Sequence, residues 1–189
     1  MNPVSEALSS ASTTDKATKG LVPLDDFTWN GWTAMETHWR VENLLSRYAA
    51  CIDDDALEYW PDFFSRSQCH YEIITRENLD RGLTLALLSC ASHGMLVDRI
   101  VSLREANIYP QRWYRHAVSS VLILSAAPEA LQVQSHYVVF QTRRNGHTEV
   151  FSAGKYLDCI VLEDGVLKFA QKRVVADTHR VDTLLVAPL

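Results

Sequence analysis

The spacing of apolar residues divides this chain into a helical first part and a strand-rich last third. From Thr37 onward apolar residues recur every three or four positions, which is the period of a helix that buries one face. The residues of this stripe are Val41, Leu44, Leu45, Tyr48 and Ile52. The run Asp53-Asp54-Asp55 ends the stripe and can cap a second helix, because a carboxylate accepts the free N–H groups of a first turn.

Further segments continue this helical part. The second helix is expected to carry apolar residues on one side and to kink or break at Pro61. Its apolar residues are Leu57, Trp60, Phe63 and Phe64. A short strand is expected at 69–74, then a turn at Gly82 and an apolar stretch, Leu83–Leu88. The segment Met95–Ala106 is again helical in its spacing.

The last third is rich in β-branched and aromatic residues and is broken by turn signals. The predicted strands are Ala117–Ser125, Leu131–Arg143, Thr148–Leu162 and Val166–Ala176. Asn145-Gly146 and Asp164-Gly165 predict tight hairpins, because a type I′ turn needs positive φ at both central residues. The four strands therefore form an antiparallel meander that curls, with a bend at Gly154. Helices followed by one curled sheet predict an α+β fold, a half-open cone closed by the helices.

The beginning of the chain differs in composition from the rest. Residues 1–26 are rich in Ser, Thr, Ala and Lys, which predicts a disordered or partner-ordered arm before a single cone domain at 27–189. Aromatic residues then crowd together, at Phe27, Trp29, Trp32 and Trp39. Either they pack on their own domain, or they dock a neighbouring subunit, where Trp is enriched at hot spots.

Composition restricts the classes of protein to consider. The chain has 189 residues, 47% hydrophobic and 22% charged, which suits one globular domain. Its net charge of −5 argues against a nucleic-acid partner. No apolar run is long enough for a transmembrane helix, and the first residues lack the pattern of a signal peptide. The four cysteines are widely spaced and are expected to be reduced, in a cytoplasmic protein.

Metal and nucleotide motifs are weak or absent in the sequence. Cys90 and His93 form a C-x-x-H, but a Rieske 2Fe–2S centre needs a second Cys/His loop, and the adjacent Cys69-His70 lacks the spacing. None of the seven histidines are paired at i+3 to i+5, and neither CxxC nor HExxH occurs. Neither GxGxxG nor a P-loop occurs. We expect no metal or cofactor to bind this chain.

Two families of function stay open for a cone of this kind. A stand-alone dehydratase or isomerase would move a proton with an Asp–His pair in the cone. The candidates are Asp98, His116, His136, Tyr137 and Asp158, of which Asp98, His136 and Asp158 are expected to meet in one pocket. In the predicted strands His136 shares a face with Val138, and Asp158 shares a face with Tyr156. The other alternative is a cone that binds a ligand without chemistry. A third function to compare with these two is a subunit that supports a catalytic partner chain.

The segment 99–116 carries four arginines, a tryptophan and two tyrosines, the residues favoured at protein interfaces. It is interpreted either as a solvated helix face followed by a loop, or as an interface. Interface candidates in and near it are Arg99, Arg104, Tyr109, Arg112, Trp113, Tyr114 and Arg115. Trp29, Trp32 and Leu189 are added to them, the last because an apolar C-terminal stretch needs cover.

Several segments, in the same order, resemble a known family. They are MLVDRIVSLREANIYPQRWYRH, YAACIDDDALEYWPDFFSRSQCHYEI, GHTEVFSAGKYLD and VDTLLVAPL. Over roughly 39–189 the chain is similar to the small (β) subunit of Rieske-type aromatic-ring-hydroxylating dioxygenases. Within that family it looks closest to the subunits of enzymes acting on aromatic acids, such as terephthalate dioxygenase and salicylate hydroxylase.

The resemblance implies a nuclear-transport-factor-two-like cone and a non-catalytic, structural role. It implies assembly with a large (α) oxygenase subunit, three α with three β, and contact with other β subunits around a threefold axis. In such enzymes the large subunit holds the Rieske cluster, the mononuclear Fe(II) and the substrate, and electrons come from NADH through a reductase. No catalytic residue is carried over to this chain, because the family places none in the small subunit.

Overall fold

The computed structural model describes residues 27–106, 112–177 and 188–189. The predicted N-terminal arm, Tyr109 and most of the C-terminal stretch lie outside the described residues. No helix in the described part of the chain is long and apolar enough to cross a membrane.

The first long helix, α1, spans Ala34–Asp53 and confirms the predicted apolar stripe. It begins three residues earlier than the pattern suggested, because Thr33 forms a capping box with Glu36. The Thr33 side chain accepts from the Glu36 N–H at 3.2 Å, and the Thr33 N–H donates to Glu36 Oε2 at 2.8 Å. A two-residue hairpin pair, β1 (Thr28–Trp29) and β2 (Trp32–Thr33), leads into it.

The predicted second helix is a 3₁₀ helix, Leu57–Phe63, with Pro61 inside it. The expected aspartate cap is wrong: Ala56 occupies the N-cap and makes no side-chain hydrogen bond there. The acidic run instead binds elsewhere, since Asp53 accepts from His116 and Asp55 accepts from Arg104. The remaining helices are α2, Arg76–Asp80, and α3, His93–Ala106.

In the described residues six strands form one sheet. The strands are β3 (His70–Thr75), β4 (Leu88–Cys90), β5 (Arg112–Ala127), β6 (Ala130–Arg143), β7 (Thr148–Glu163) and β8 (Val166–Ala176). Their order across the sheet is β4-β3-β8-β7-β6-β5. Strands β5 to β8 form the predicted antiparallel meander. The sequence pattern missed the neighbour of β8: strand β3 inserts beside it in parallel.

The two predicted tight turns differ in conformation. Asp164 and Gly165 both have positive φ, 53° and 77°, and join the paired residues Glu163 and Val166 as a type I′ hairpin. In the other turn only Gly146 is positive, at 83°. There the Arg143 N–H donates to the His147 oxygen at 2.9 Å, so four residues separate β6 from β7.

Gly154 lies where strands β7 and β8 approach most closely. A Cβ atom at this position would lie 2.0 Å from the main-chain oxygen of Val175, well inside van der Waals contact. Glycine is therefore required by space at this position, whereas the predicted bend at Gly154 stays a prediction.

The core between the helices and the sheet is unusually aromatic. Trp60 meets Tyr71 and Phe64 edge to face, with ring centroids 5.0 and 5.4 Å apart. Trp29 is also buried here, and its indole N–H donates to the Ala127 oxygen at 2.7 Å. Part of the aromatic N-terminal stretch thus packs on its own domain.

Candidate functional site

A buried ion pair lies inside the cone, where a cone enzyme would place its chemistry. Lys172 on β8 and Asp158 on β7 are both fully buried. The ammonium lies 3.3 Å from Oδ1 and 3.2 Å from Oδ2 of the carboxylate. The two residues are direct cross-strand partners, so the sheet itself fixes the pair.

Aromatic rings enclose the lysine. Its Nζ lies 3.6 Å from the centroid of Tyr156 and 4.6 Å from those of Tyr48 and Phe169. Tyr137 stacks on Tyr156 with a centroid distance of 4.5 Å. The negative ring faces attract the ammonium group of Lys172, which is buried away from water. The rings therefore stabilise its charge in place of solvent.

Burial governs the ionisation of the pair. Desolvation raises the pKa of Asp158 to about 6, although the charge and hydrogen bond of Lys172 act in the opposite direction. Desolvation also lowers the pKa of Lys172, and Asp158 partly offsets this. Perturbed groups of this kind are found at catalytic sites, but both side chains here are sealed from solvent by packed rings.

Tyrosine hydroxyls extend the buried polar centre to the end of the chain. Tyr48 and Tyr71 donate to the main-chain oxygen of Leu189, at 2.9 and 3.3 Å. The Leu189 N–H in turn donates to the Tyr71 hydroxyl at 2.9 Å. Leu189, an interface candidate from the sequence, therefore lies in the core of this chain.

The structure does not bring the three acid–base candidates together. Asp158 faces inward with Tyr156, as the strand pattern predicted. His136 is exposed on the outer face of β6, because alternation along that strand places Ser135 and Tyr137 inside. Asp98 is exposed on α3. The proposed Asp–His pair is thus incorrect for these residues: the buried carboxylate has Lys172 as its partner.

A different Asp–His pair is present, and the sequence analysis missed it. His116 Nδ1 lies 2.6 Å from Asp53 Oδ1, and the His116 main-chain N–H donates to Asp53 Oδ2 at 2.9 Å. The imidazole is buried, and its Nε2 has no hydrogen-bond partner among the described residues. The pair attaches edge strand β5 to the end of α1. Its sequence signals were His116, already an acid–base candidate, and the acidic run, which had been assigned to a helix cap.

The described residues do not fit an iron or Rieske site. No three His, Cys, Asp or Glu side chains in this part of the chain converge to hold a metal ion. Cys90 of the C-x-x-H is buried, and its Sγ donates to the Met95 oxygen at 3.8 Å. Cys69 is half-buried beside strand β3.

The arginine-rich segment is divided by the structure into inward and outward side chains. Arg104 on α3 is held by Asp55 and Glu58, with N–O distances of 2.9 and 2.8 Å. Strand β5 begins at Arg112, so 112–116, which one of the two interpretations placed in a loop, belong to the sheet. Tyr114 faces inward against Phe151, at a centroid distance of 5.5 Å.

The remaining candidates of this set differ in exposure. Trp113 and Arg115 alternate outward on β5 and are exposed. Arg99 and Arg112 are half-buried, and Arg112 donates to Gln141 Oε1 at 3.4 Å. Trp32 is half-buried under the guanidinium of Arg40, 4.0 Å from its ring centroid.

Comparison with known proteins identifies the family. Residues 47–183 match the family model described as ring hydroxylating beta subunit. The chain is 43% identical to the anthranilate 1,2-dioxygenase small subunit of Burkholderia cepacia over 155 residues, which cover 82% of this chain and 96% of that one. It is 39% identical to the terephthalate 1,2-dioxygenase terminal oxygenase component subunit beta 2 of Comamonas, covering 75% of this chain and 92% of that one.

A solved structure agrees with both the sequence relatives and the cone. It is described as the beta subunit of an aromatic-ring-hydroxylating dioxygenase from Novosphingobium aromaticivorans. This chain matches it with a TM-score of 0.77 and 36% identity, covering 84% of this chain and all of that one. The resemblance seen in the sequence is confirmed: the chain belongs to the ring-hydroxylating β-subunit family, as the small subunit of a dioxygenase.

Proposed function

We propose that this chain is the non-catalytic structural β subunit of a cytoplasmic oxygenase that hydroxylates an aromatic acid. It assembles with a large oxygenase subunit, three with three around a threefold axis. The large subunit holds the Rieske cluster, the mononuclear Fe(II) and the substrate, and receives electrons from NADH through a reductase. The aromatic-acid substrate class is supported by the anthranilate and terephthalate dioxygenases among the relatives.

One observation carries the structural role: a largely apolar outer row on the sheet. The outer row consists of Trp113, Arg115, Phe140 and Val150. Arg115 on β5 pairs with Phe140 on β6, and Phe140 pairs with Val150 on β7. All three are exposed, Val150 by 58%, and the neighbouring Trp113 by 48%. Apolar side chains presented together on a sheet face are typical of a surface that a partner covers.

The residue types support a protein partner for this row. Tryptophan and arginine are enriched among the few side chains that dominate binding energy at interfaces. The interior of the cone, unlike the outer row, is closed to a partner. Lys172 and Asp158 fill its centre and are shielded from substrate by aromatic rings. We therefore assign the outer row to contact with the large subunit and the interior to holding the cone in shape.

Co-expression with the large subunit tests the proposal. We expect a complex of three large and three small chains by native mass spectrometry, with iron in the large chains and hydroxylation of an aromatic acid by the complex. Phe140→Ala and Trp113→Ala should each weaken assembly by about 2 kcal/mol, the size of a hot-spot truncation. Met35→Ala, at an exposed position on α1, is the matched control and should leave assembly unchanged.

Two results would contradict the proposal. Stoichiometric iron binding or turnover by the purified small chain alone would make it catalytic. Assembly that tolerates both outer-row variants as well as Met35→Ala would place the interface elsewhere on the molecule.

A further inference from the structure

A groove of about 510 Å³ lies between α1, the 3₁₀ helix and the β7–β8 turn, and the core residues Leu44 and Leu167 contribute to its lining. This volume falls within the range of roughly 300–1,000 Å³ that is typical of small-molecule sites. The outer sheet row and the Lys172–Asp158 pair contribute no residue to its lining.

Aromatic side chains form the apolar walls of the groove. Trp39 on α1 is 61% exposed and Tyr59 on the 3₁₀ helix is 67% exposed, although both are large and apolar. Phe63 lines the same groove and is fixed edge to face on the core residue Tyr48, with centroids 5.8 Å apart. Flat rings on rigid helices offer stacking surfaces for a planar ligand.

Cations outnumber carboxylates in the lining. Arg40, Arg47 and Lys168 contribute positive charge, against the single carboxylate of Asp62, in a chain of net charge −5. Lys168 is engaged already, since its ammonium donates to the Asp62 main-chain oxygen. Arg40 and Arg47 are therefore the cations of the lining that we expect to donate hydrogen bonds to an anion.

Arg40 is held in place for this role. Its guanidinium stacks on Trp32, 4.0 Å from the ring centroid, which fixes its plane. Its Nε is buried without a hydrogen-bond partner among the described residues. Because Nε is buried, the N–H groups at the tip of the guanidinium are the donors that can reach an anion in the groove.

We propose that this groove is a binding site for a small aromatic carboxylate. The ring stacks against Trp39 and Tyr59, and the carboxylate accepts hydrogen bonds from Arg40 and Arg47. The combination of a stacked arginine, a second arginine and aromatic walls matches a planar anion, because guanidinium and carboxylate form paired, charge-assisted hydrogen bonds. The site is independent of the assembly role, so the failure of either proposal leaves the other standing.

Calorimetric titration with benzoate tests the site, on the full chain and on its complex with the large subunit lacking bound substrate. We expect one saturable site for each small chain in the isolated chain. In the complex the substrate pocket of the large subunit also takes up benzoate, so the site of the small chain is identified there as the part of the binding that Arg47→Gln removes. Cyclohexanecarboxylate should bind more weakly, since it keeps the charge and lacks the flat ring. Benzamide should also bind more weakly, since it keeps the ring and lacks the charge.

Variants locate the binding. Arg47→Gln should weaken benzoate binding by about tenfold or more, the loss expected for one charge-assisted hydrogen bond. Trp39→Ala, at an exposed position, should weaken it without unfolding the chain. Arg144→Gln makes the same charge change in the exposed β6–β7 turn and should leave the affinity unchanged.

Three outcomes would overturn the proposal. They are the absence of saturable binding to the full chain, equal binding by Arg47→Gln and Arg144→Gln, and loss of the site in the complex. The last result would show that the groove accommodates a protein segment of the partner instead of a small anion.

Discussion

Removal of Lys172 should expose how much the buried ion pair matters to the fold. In Lys172→Met the side chain keeps its length and loses its charge, so Asp158 stays fully buried with no cation beside it. Taking one partner from a buried pair costs about 3–5 kcal/mol, because the remaining charge is left uncompensated. We expect the free energy of unfolding to fall by about 4 kcal/mol at pH 7.

The ionisation of Asp158 gives this loss a dependence on pH. Without Lys172 this carboxyl folds in its neutral form, while in the unfolded chain it ionises near its ordinary pKa of 3.8. The cost to the variant rises by about 1.36 kcal/mol for each pH unit above that value. The wild type bears part of the same cost, because the pKa of its Asp158 is already raised to about 6, so the difference between the two chains widens above that pH. Because the pKa is higher in the folded state, the variant must lose stability as pH rises.

Urea unfolding, followed by tryptophan fluorescence and circular dichroism at pH 5 and pH 7, measures these differences. Lys168→Met is the matched control, since it removes a lysine from the same strand near the surface, and should cost less than about 1 kcal/mol. The double variant Lys172→Met/Asp158→Leu should regain most of the stability, as apolar replacements of buried pairs do. A Lys172→Met chain as stable as Lys168→Met, with no dependence on pH, would refute this reasoning.

Three further predictions concern stability and use the same measurement. Gly154→Ala should cost about 3 kcal/mol or more, because its Cβ would meet the Val175 oxygen, whereas Gly94→Ala in α3 should be neutral or slightly stabilising; equal effects would contradict the close approach. Asp53→Asn should cost about 1.5–3 kcal/mol by weakening its bonds to His116, and the exposed Asp54→Asn should cost little; similar losses would show that the pair does not hold β5. Burial tends to raise the pKa of Glu72, but hydrogen bonds and charges from His70 and Arg173 lower it to about 2, so its contribution to stability is present above about 4.5 and lost as pH falls toward 2. The difference between wild type and Glu72→Gln should therefore shrink on acidification, and a constant difference would argue against this ion pair.

Local patterns predicted the elements of this fold well, because they depend on neighbours in the sequence. The α1 stripe and the four-strand meander follow from spacing and turn residues, and both are confirmed. The parallel insertion of β3 beside β8 could not be predicted in the same way. It depends on contacts between distant segments, which periodicity does not encode.

The buried lysine was missed for a definable reason. Leu167 and Phe169 face inward, so strict alternation would place Lys172 on the outer face. An irregularity in the β7–β8 pairing falls between Cys159 and Ile160, opposite 169–171, and shifts the phase of β8. Lys172 then faces inward, toward the Asp158 that the pattern had placed correctly.

The parallel pair of β3 and β8 also has a consequence for biosynthesis. Strand β3 ends at Thr75, and its partner β8 begins only at Val166. At roughly 5–20 residues per second, one edge of β3 must wait for about 5–20 s on the ribosome before its partner exists. During that interval Ile73 and Ile74, fully covered in the finished sheet, lie on an open strand edge, where nascent chains are prone to aggregate. A chaperone that covers this strand would keep its open edge from pairing with other chains until β8 has been made.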